Sequence, residues 1–212
     1  VILLYGPPKV GKTTLSLQLA KELGKKTYVF YAEPNYKNPK FQKLLNMYKP
    51  DNAEFIDVIG KAWMIFYLDR YVKEKDSIVI YDSASATGEA VADELRSFES
   101  LPYTQRTSLV ARRLAFRLQN LAAMKNLLVI IIAQATGGPG RYKFGVSYKP
   151  SMTLRSMHYT DYDLLLEPVN ETQRRLVIVN ARPKPWLEGK KLLLQFTETG
   201  IKPIGEEIEE KK

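Results

Sequence analysis

Gly6-Pro7-Pro8-Lys9-Val10-Gly11-Lys12-Thr13 is the stretch on which the fold turns. It meets every fixed position of G-x-x-x-x-G-K-[ST]. Before it runs Val1-Ile2-Leu3-Leu4-Tyr5, with the length and apolar texture of a buried strand. After it come Leu15, Leu19 and Leu23, spaced four apart, which predicts one face of a helix. Strand, glycine loop and helix in that order make a cradle for phosphate, because loop amides and a helix N-terminus point at the anion. The predicted cradle is Gly6, Pro7, Pro8, Lys9, Val10, Gly11, Lys12, Thr13 and Thr14. Lys12 supplies a cation for the terminal phosphates, and the Thr13 hydroxyl a ligand for Mg2+.

Outside this stretch the chain has an ordinary globular composition. Its 212 residues are 45% hydrophobic and 26% charged, enough for one domain with a buried core. Cysteine is absent, which excludes disulfides and thiolate metal sites and suits a cytoplasmic location. The longest apolar run, Leu127 to Ala133, falls far short of the roughly 20 residues that span a bilayer. No membrane partner is expected. The net charge of +9 suits a polyanion such as nucleic acid, and equally suits simple solubility. Position 1 is Val and lies inside the first strand, so the expectation is that a further N-terminal part precedes it.

Apolar periodicity predicts alternating strands and helices. Gly24 reads as the C-cap of the first helix. Strands are predicted over Thr27 to Tyr31, Phe55 to Val58, Ser77 to Tyr81 and Leu127 to Ala133. Helices are predicted over Lys40 to Tyr48, from Ala62 to about Lys75, over Ala90 to Phe98, and over Ser108 to Met124. This alternation implies βαβ units and a mostly parallel central sheet with helices on both faces. Gly137 to Ser156 has no period and reads as a long loop. Asp163 to Glu167, Arg174 to Val179 and Leu192 to Phe196 then read as strands. The Asn170-Glu171-Thr172 turn makes the first two a hairpin, so the sheet gains an antiparallel C-terminal extension. Gly205 to Lys212 reads as a charged, frayed tail. With no repeat or linker, residues 1–212 read as one α/β domain.

Phosphoryl transfer to water needs a phosphate cradle, a metal, an activated water and charge neutralisation. Asp82 follows Ile78-Val79-Ile80-Tyr81 and is placed to hold Mg2+ through its water shell, or simply to cap a helix. Glu33 ends the second strand, which is expected beside the phosphate-loop strand, and there it can polarise water. Gln134 ends the fifth predicted strand, placed to sense the terminal phosphate. Beyond it, Arg141-Tyr142-Lys143-Phe144 and Tyr148-Lys149 mix cations with rings, the chemistry of single-stranded nucleic acid. Arg106, Arg112, Arg113 and Arg117 add basic residues at the long helix, where a solvated face is the plain alternative. His158, the only histidine, reads as structural.

In order and spacing these stretches resemble the RecA-like recombinase ATPases, and most the archaeal RadA and RadB group with its shorter paralogues. Tyr31-Ala32-Glu33 resembles their strand ending in the catalytic glutamate, Ile78 to Ser83 their metal-binding strand, and Ile132-Ala133-Gln134 their sensor strand. The resemblance implies a RecA-like ATPase core using ATP and Mg2+. It implies a first DNA-binding loop at Arg106-Thr107-Ser108-Leu109, running into Arg112, and a second over Gly137 to Lys149. It further implies that adenine stacks on Tyr36 or Lys37, and that Arg182 reaches a neighbouring subunit's γ-phosphate in a homo- or hetero-oligomer. Thr107 stands where the family usually has Gly, and Pro150-Ser151 where a Gly pair is expected. The basic pair is reduced to Arg182, with Lys184 nearby. These departures point to an accessory paralogue in recombination and DNA repair, working on single-stranded DNA beside another recombinase or repair protein. The alternative is a KaiC-like regulatory or assembly ATPase acting through protein partners. A third reading, a small-molecule kinase, requires an acceptor pocket and an arginine-rich lid.

Overall fold

The structure is a computed structural model that describes residues 1–94, 103–137, 148–150, 156–197 and 200–207. Five strands form its parallel half: β1 (Ile2–Gly6), β2 (Thr27–Tyr31), β3 (Ala53–Asp57), β4 (Ile78–Asp82) and β5 (Leu128–Gly137). They lie in the order β3-β2-β4-β5-β1. Beyond β1 come β7 (Tyr162–Pro168), parallel to it, and then β8 (Gln173–Ala181), β9 (Lys191–Thr197) and β10 (Gly200–Glu207), each antiparallel to the last. A short β6 (Tyr148–Pro150) pairs antiparallel with the last three residues of β5. The α/β fold with a parallel core and antiparallel extension is therefore as expected. No helix among the described residues is long and apolar enough to cross a membrane.

β1, β4 up to Tyr81 and β5 up to Ala133 are apolar over consecutive residues because both of their faces are covered. Leu3, Val79 and Ile131 point to one core with Leu114 and Leu118 of α5 (Tyr103–Lys125). Their neighbours Leu4, Ile80 and Ile130 point to the other, with Leu17 and Ala20 of α1 (Lys12–Leu23). Successive residues of a strand face opposite sides, so one apolar run fills two cores.

Several elements differ from expectation. The buried face of α1 is Ser16, Leu17 and Ala20, while Leu19 and Leu23 are exposed. The loop fixes where the helix starts, and small Ser16 and Ala20 allow close approach to the sheet. Leu15 and Leu19 instead line an apolar cavity of about 240 Å3 with Leu164, Leu176 and Leu192. Ala62–Phe66 is a 3-10 turn followed by the one-turn α3 (Leu68–Tyr71), not one helix. α2 spans Pro39–Tyr48. α4 (Ala84–Glu94) begins earlier than expected because the Ser83 hydroxyl accepts from the Ala86 amide at 3.2 Å, capping its first turn. β5 runs past Gln134 because β6 pairs with Ala135 to Gly137. Residues 205–207, expected to fray, are held in β10 opposite Lys191 to Leu193. Residues 208–212 lie outside the described residues.

Candidate functional site

β1 delivers the chain to Gly6, where an added Cβ would lie 2.1 Å from the Leu166 carbonyl oxygen. The loop closes at Gly11, whose φ of 101° suits glycine. A side chain there would also meet the Phe196 ring at 2.3 Å. Phe196 carries the Arg174 guanidinium 5.1 Å above it, and Arg174 Nε donates to the Val10 carbonyl at 3.2 Å. The antiparallel strands thus brace the loop from behind. α1 starts at Lys12 with no side chain capping its amides, so its N-terminus faces the cavity ready for an anion.

Lys12 is buried. Its ammonium donates to the carbonyls of Gly6 at 2.9 Å and Pro7 at 2.8 Å and to Gln134 Oε1 at 3.5 Å. Burial pulls its pKa down to about 8, against the opposing pull of Asp82 and Glu33. A phosphate in the cradle favours the charged form.

Asp82, at the end of β4, is 2% exposed. Its Oδ2 accepts from Thr13 Oγ1 at 2.6 Å and from the Tyr36 hydroxyl at 2.8 Å. Burial pushes its carboxyl up to about 6, the Thr13 and Tyr36 bonds and Lys12 oppose that rise, and the Glu33 charge adds to it. A hydroxyl and a carboxylate this close are two hard oxygen donors, and a buried carboxylate with a raised pKa is relieved by a cation. The pair fits Mg2+, which takes one or two protein oxygens and completes its shell with phosphate and water. Among the described residues there is no group of three acidic, histidine or cysteine side chains that would form a fuller cage.

Glu33 follows β2, which is not beside β1: β4 and β5 stand between them. Its side chain still reaches the same cavity. Oε1 accepts from Ser83 Oγ at 2.7 Å and from Gln134 Nε2 at 3.4 Å, and Oε2 from Asn35 Nδ2 at 3.1 Å. Gln134, opposite Gly6 in the register of β5 with β1, therefore bridges Lys12 and Glu33 through its two amide atoms. Its backbone amide donates to Ser85 Oγ at 3.0 Å. Lys9, Lys12, Thr13, Glu33, Asp82 and Gln134 line one cavity of about 600 Å3.

Asn38, Lys40 and Phe41 form the outer wall of that cavity. They belong to no catalytic motif, and their mark in the sequence is a polar and aromatic cluster at a helix start close after Glu33. A smaller cavity of about 300 Å3 adjoins it, lined by Glu33, Ser83, Ser85, Glu89 and Gln134.

Other expected site residues lie elsewhere. Tyr36 is 1% exposed, stacked on Tyr31 and edge-on to Phe41, so its ring offers no face to adenine. Burial also holds its hydroxyl pKa well above the usual tyrosine value, the Asp82 charge adding to this. Lys37 instead pairs with Asp57 at 3.1 Å. Arg182 follows β8 at the end of the sheet where β1 begins, remote from Gly6, and its guanidinium donates to the His158 carbonyl. It takes no part in its own chain's cavity. Arg112 is half-buried and Arg113 and Arg117 are exposed on α5. Arg106-Thr107-Ser108-Leu109, expected as a loop, lies within that helix. Lys149 is exposed on β6, opposite Thr136 and so two residues beyond Gln134. Arg141, Tyr142, Lys143 and Phe144 lie outside the described residues.

A crystal structure of the RadB recombinase superposes on this chain with a TM-score of 0.67, at 24% identity, over 96% of this chain and 90% of that one. The fold is RecA-like, as in that protein. No family model matches the chain. In sequence, 60 residues are 41% identical to the Holliday junction branch migration complex subunit RuvB of Ligilactobacillus salivarius (strain UCC118), covering 28% of this chain and 18% of that protein. A stretch of 104 residues is 33% identical to the same subunit of Prochlorococcus marinus (strain NATL2A), covering 49% of this chain and 28% of that protein. The chain thus spans less than a third of the length of these two curated relatives. The resemblance expected from the sequence holds at the level of fold, and the site has the parts for binding a metal-chelated nucleoside triphosphate.

Proposed function

We propose that this chain is a Mg2+-dependent ATPase that works on single-stranded DNA as an accessory in recombination and repair. The observation that carries the reading is the reach of Gln134: one amide atom lies 3.5 Å from the Lys12 ammonium and the other 3.4 Å from Glu33. In this reading Gly6 to Thr14 and the α1 N-terminus bind the triphosphate, with Thr13 and Asp82 holding Mg2+. Bound Mg2+ neutralises charge developing on the phosphoryl oxygens. Glu33 orients and deprotonates the attacking water, and Ser83 and Asn35 fix its carboxylate. Gln134 senses the terminal phosphate, and β5 carries the change toward Lys149, which stands opposite Thr136.

The basic and aromatic residues Arg141, Tyr142, Lys143, Phe144 and Lys149 would meet DNA, with Arg106, Arg112 and Arg113 as further contacts. Arg182 would act on the cavity of a neighbouring copy or a related subunit. Its distance from its own Lys12 suits that role. The fold likeness to a recombinase, and the short matches to branch migration subunits, favour DNA work.

The test is the ATPase rate with and without single-stranded DNA at two salt concentrations. Stimulation that weakens with salt is expected, because cation–phosphate contacts release counterions. Neutralising Arg141, Lys143 and Lys149 should flatten that dependence. ATP turnover with no DNA binding would shift the reading to a regulatory ATPase with protein partners.

A further inference from the structure

Tyr36 carries an oxygen atom that its packing does not need. Its ring stacks on Tyr31 with centroids 4.8 Å apart and meets Phe41 edge-on at 5.0 Å. Phenylalanine fills that space equally well. The hydroxyl nonetheless donates to Asp82 Oδ2 at 2.8 Å, the same oxygen that accepts from Thr13 at 2.6 Å. A carboxylate oxygen offers about two lone-pair sites, so these two donors occupy Oδ2 together. Turning the carboxylate would break both bonds at a buried position where no water replaces them easily.

We propose that Tyr36 is a positioning residue for the divalent-metal site. Its hydroxyl holds Asp82 in the orientation that meets the ion's shell, and leaves the second carboxylate oxygen for that shell. The inference rests on reading the cavity as a Mg2+-nucleotide site. Outer partners of metal-holding groups characteristically contribute about 10- to 100-fold in metal affinity. Tyr36 also joins the metal side of the cavity to its outer wall. Its carbonyl accepts from Gln42, and Phe41, packed against its ring, lines the cavity. The tyrosine expected to stack adenine is thereby assigned a different task.

The probe is Mn2+, titrated in the presence of saturating ADP and followed by electron paramagnetic resonance of the free ion. Three proteins are compared: wild type, Tyr36→Phe, and Tyr31→Phe as a control that removes a neighbouring hydroxyl without touching Asp82. ADP affinity in EDTA is measured for each. Tyr36→Phe is expected to weaken Mn2+ binding about 10-fold, with ADP affinity in EDTA and the thermal midpoint unchanged, and Tyr31→Phe is expected to match wild type. Unchanged Mn2+ affinity in Tyr36→Phe overturns the inference and leaves the cavity assignment standing. An equal loss of ADP affinity in EDTA also overturns it, since that marks a packing defect. Wild-type protein that binds no Mn2+ with ADP present overturns the inference and the cavity assignment together.

Discussion

The two halves of the sheet do different work. In the parallel half, β1, β4 and β5, with the segment after β2, send Lys12, Asp82, Gln134 and Glu33 to one end, where they meet in a single cavity. Parallel topology does this automatically, because every strand finishes at the same edge. The antiparallel half alternates direction and, among the described residues, collects no such group. Its contribution is mechanical: Phe196 fills the space behind Gly11, and Arg174 holds the Val10 carbonyl. The packing differs too. Leu17 is fully buried where α1 covers the parallel strands, whereas Leu192 on β9 lines an apolar cavity that α1, β1 and β5 also border. The candidate site sits where strand ends converge, and its support comes from the antiparallel strands behind the loop.

This contrast can be broken at its sharpest point with Glu33→Gln. Turnover should fall about 100- to 10,000-fold, the usual contribution of a general base, while ATP binding stays near wild type. Turnover that survives would remove Glu33 from the chemistry. Next in size is stability. Leu17→Ala should cost about 2–5 kcal/mol in chemical denaturation, and Leu192→Ala about 1 kcal/mol because its methyl groups already border empty space. Equal losses would erase the packing difference.

The third test uses pH. The Asp82 carboxyl is raised to about 6, and divalent metal requires it ionised. Metal affinity should therefore be flat above that pH and fall about tenfold per unit below it. An unshifted carboxyl would hold its affinity down to about pH 4. Titrating Mn2+ between pH 4.5 and 7.5 with ADP saturating, in wild type and in Asp82→Asn, separates this break from that of the ADP terminal phosphate, which itself titrates at about pH 6. The smallest effect is expected from Phe196→Ala. Loosening the brace should raise the dissociation constant for ATP roughly threefold to tenfold, near 1 kcal/mol, with the rate at saturation little altered. A change in that rate would place the antiparallel half in the chemistry itself.

How far the sequence anticipates this arrangement follows from the range of each interaction. The phosphate loop is local: eight consecutive residues carry its chemistry, so Gly6 to Thr13 are legible without coordinates. Asp82 and Glu33 are legible because an abrupt polar residue after an apolar run marks a strand's end; Gln134 carries the same mark, although β5 runs on to Gly137. Strand order is not local. Glu33 was expected on a strand adjoining β1, and two strands intervene. The side chain bridges the gap only because Gln134 reaches across, a contact between residues 101 positions apart. Nor does periodicity reveal which face of α1 is buried, since Leu15, Leu19 and Leu23 repeat as regularly as the face that packs. The brace at Gly11 joins residues far apart in the chain, and Phe196 in a strand carries no local mark of it. Tyr36 shows the reverse case: its ring stands out in the sequence, while the contact of its hydroxyl with Asp82, 46 residues away, leaves no local mark.

In the proposed function, Lys12, Asp82, Glu33 and Gln134 make one pocket for a Mg2+-chelated triphosphate. Calorimetric titration of wild type and Lys12→Ala with ATP and Mg2+ tests it most directly. The account predicts one site per chain in wild type and binding weakened about 100-fold, near 2.7 kcal/mol, in a Lys12→Ala protein that unfolds at the wild-type temperature. Equal affinity in the two proteins, or no binding in wild type, would contradict it.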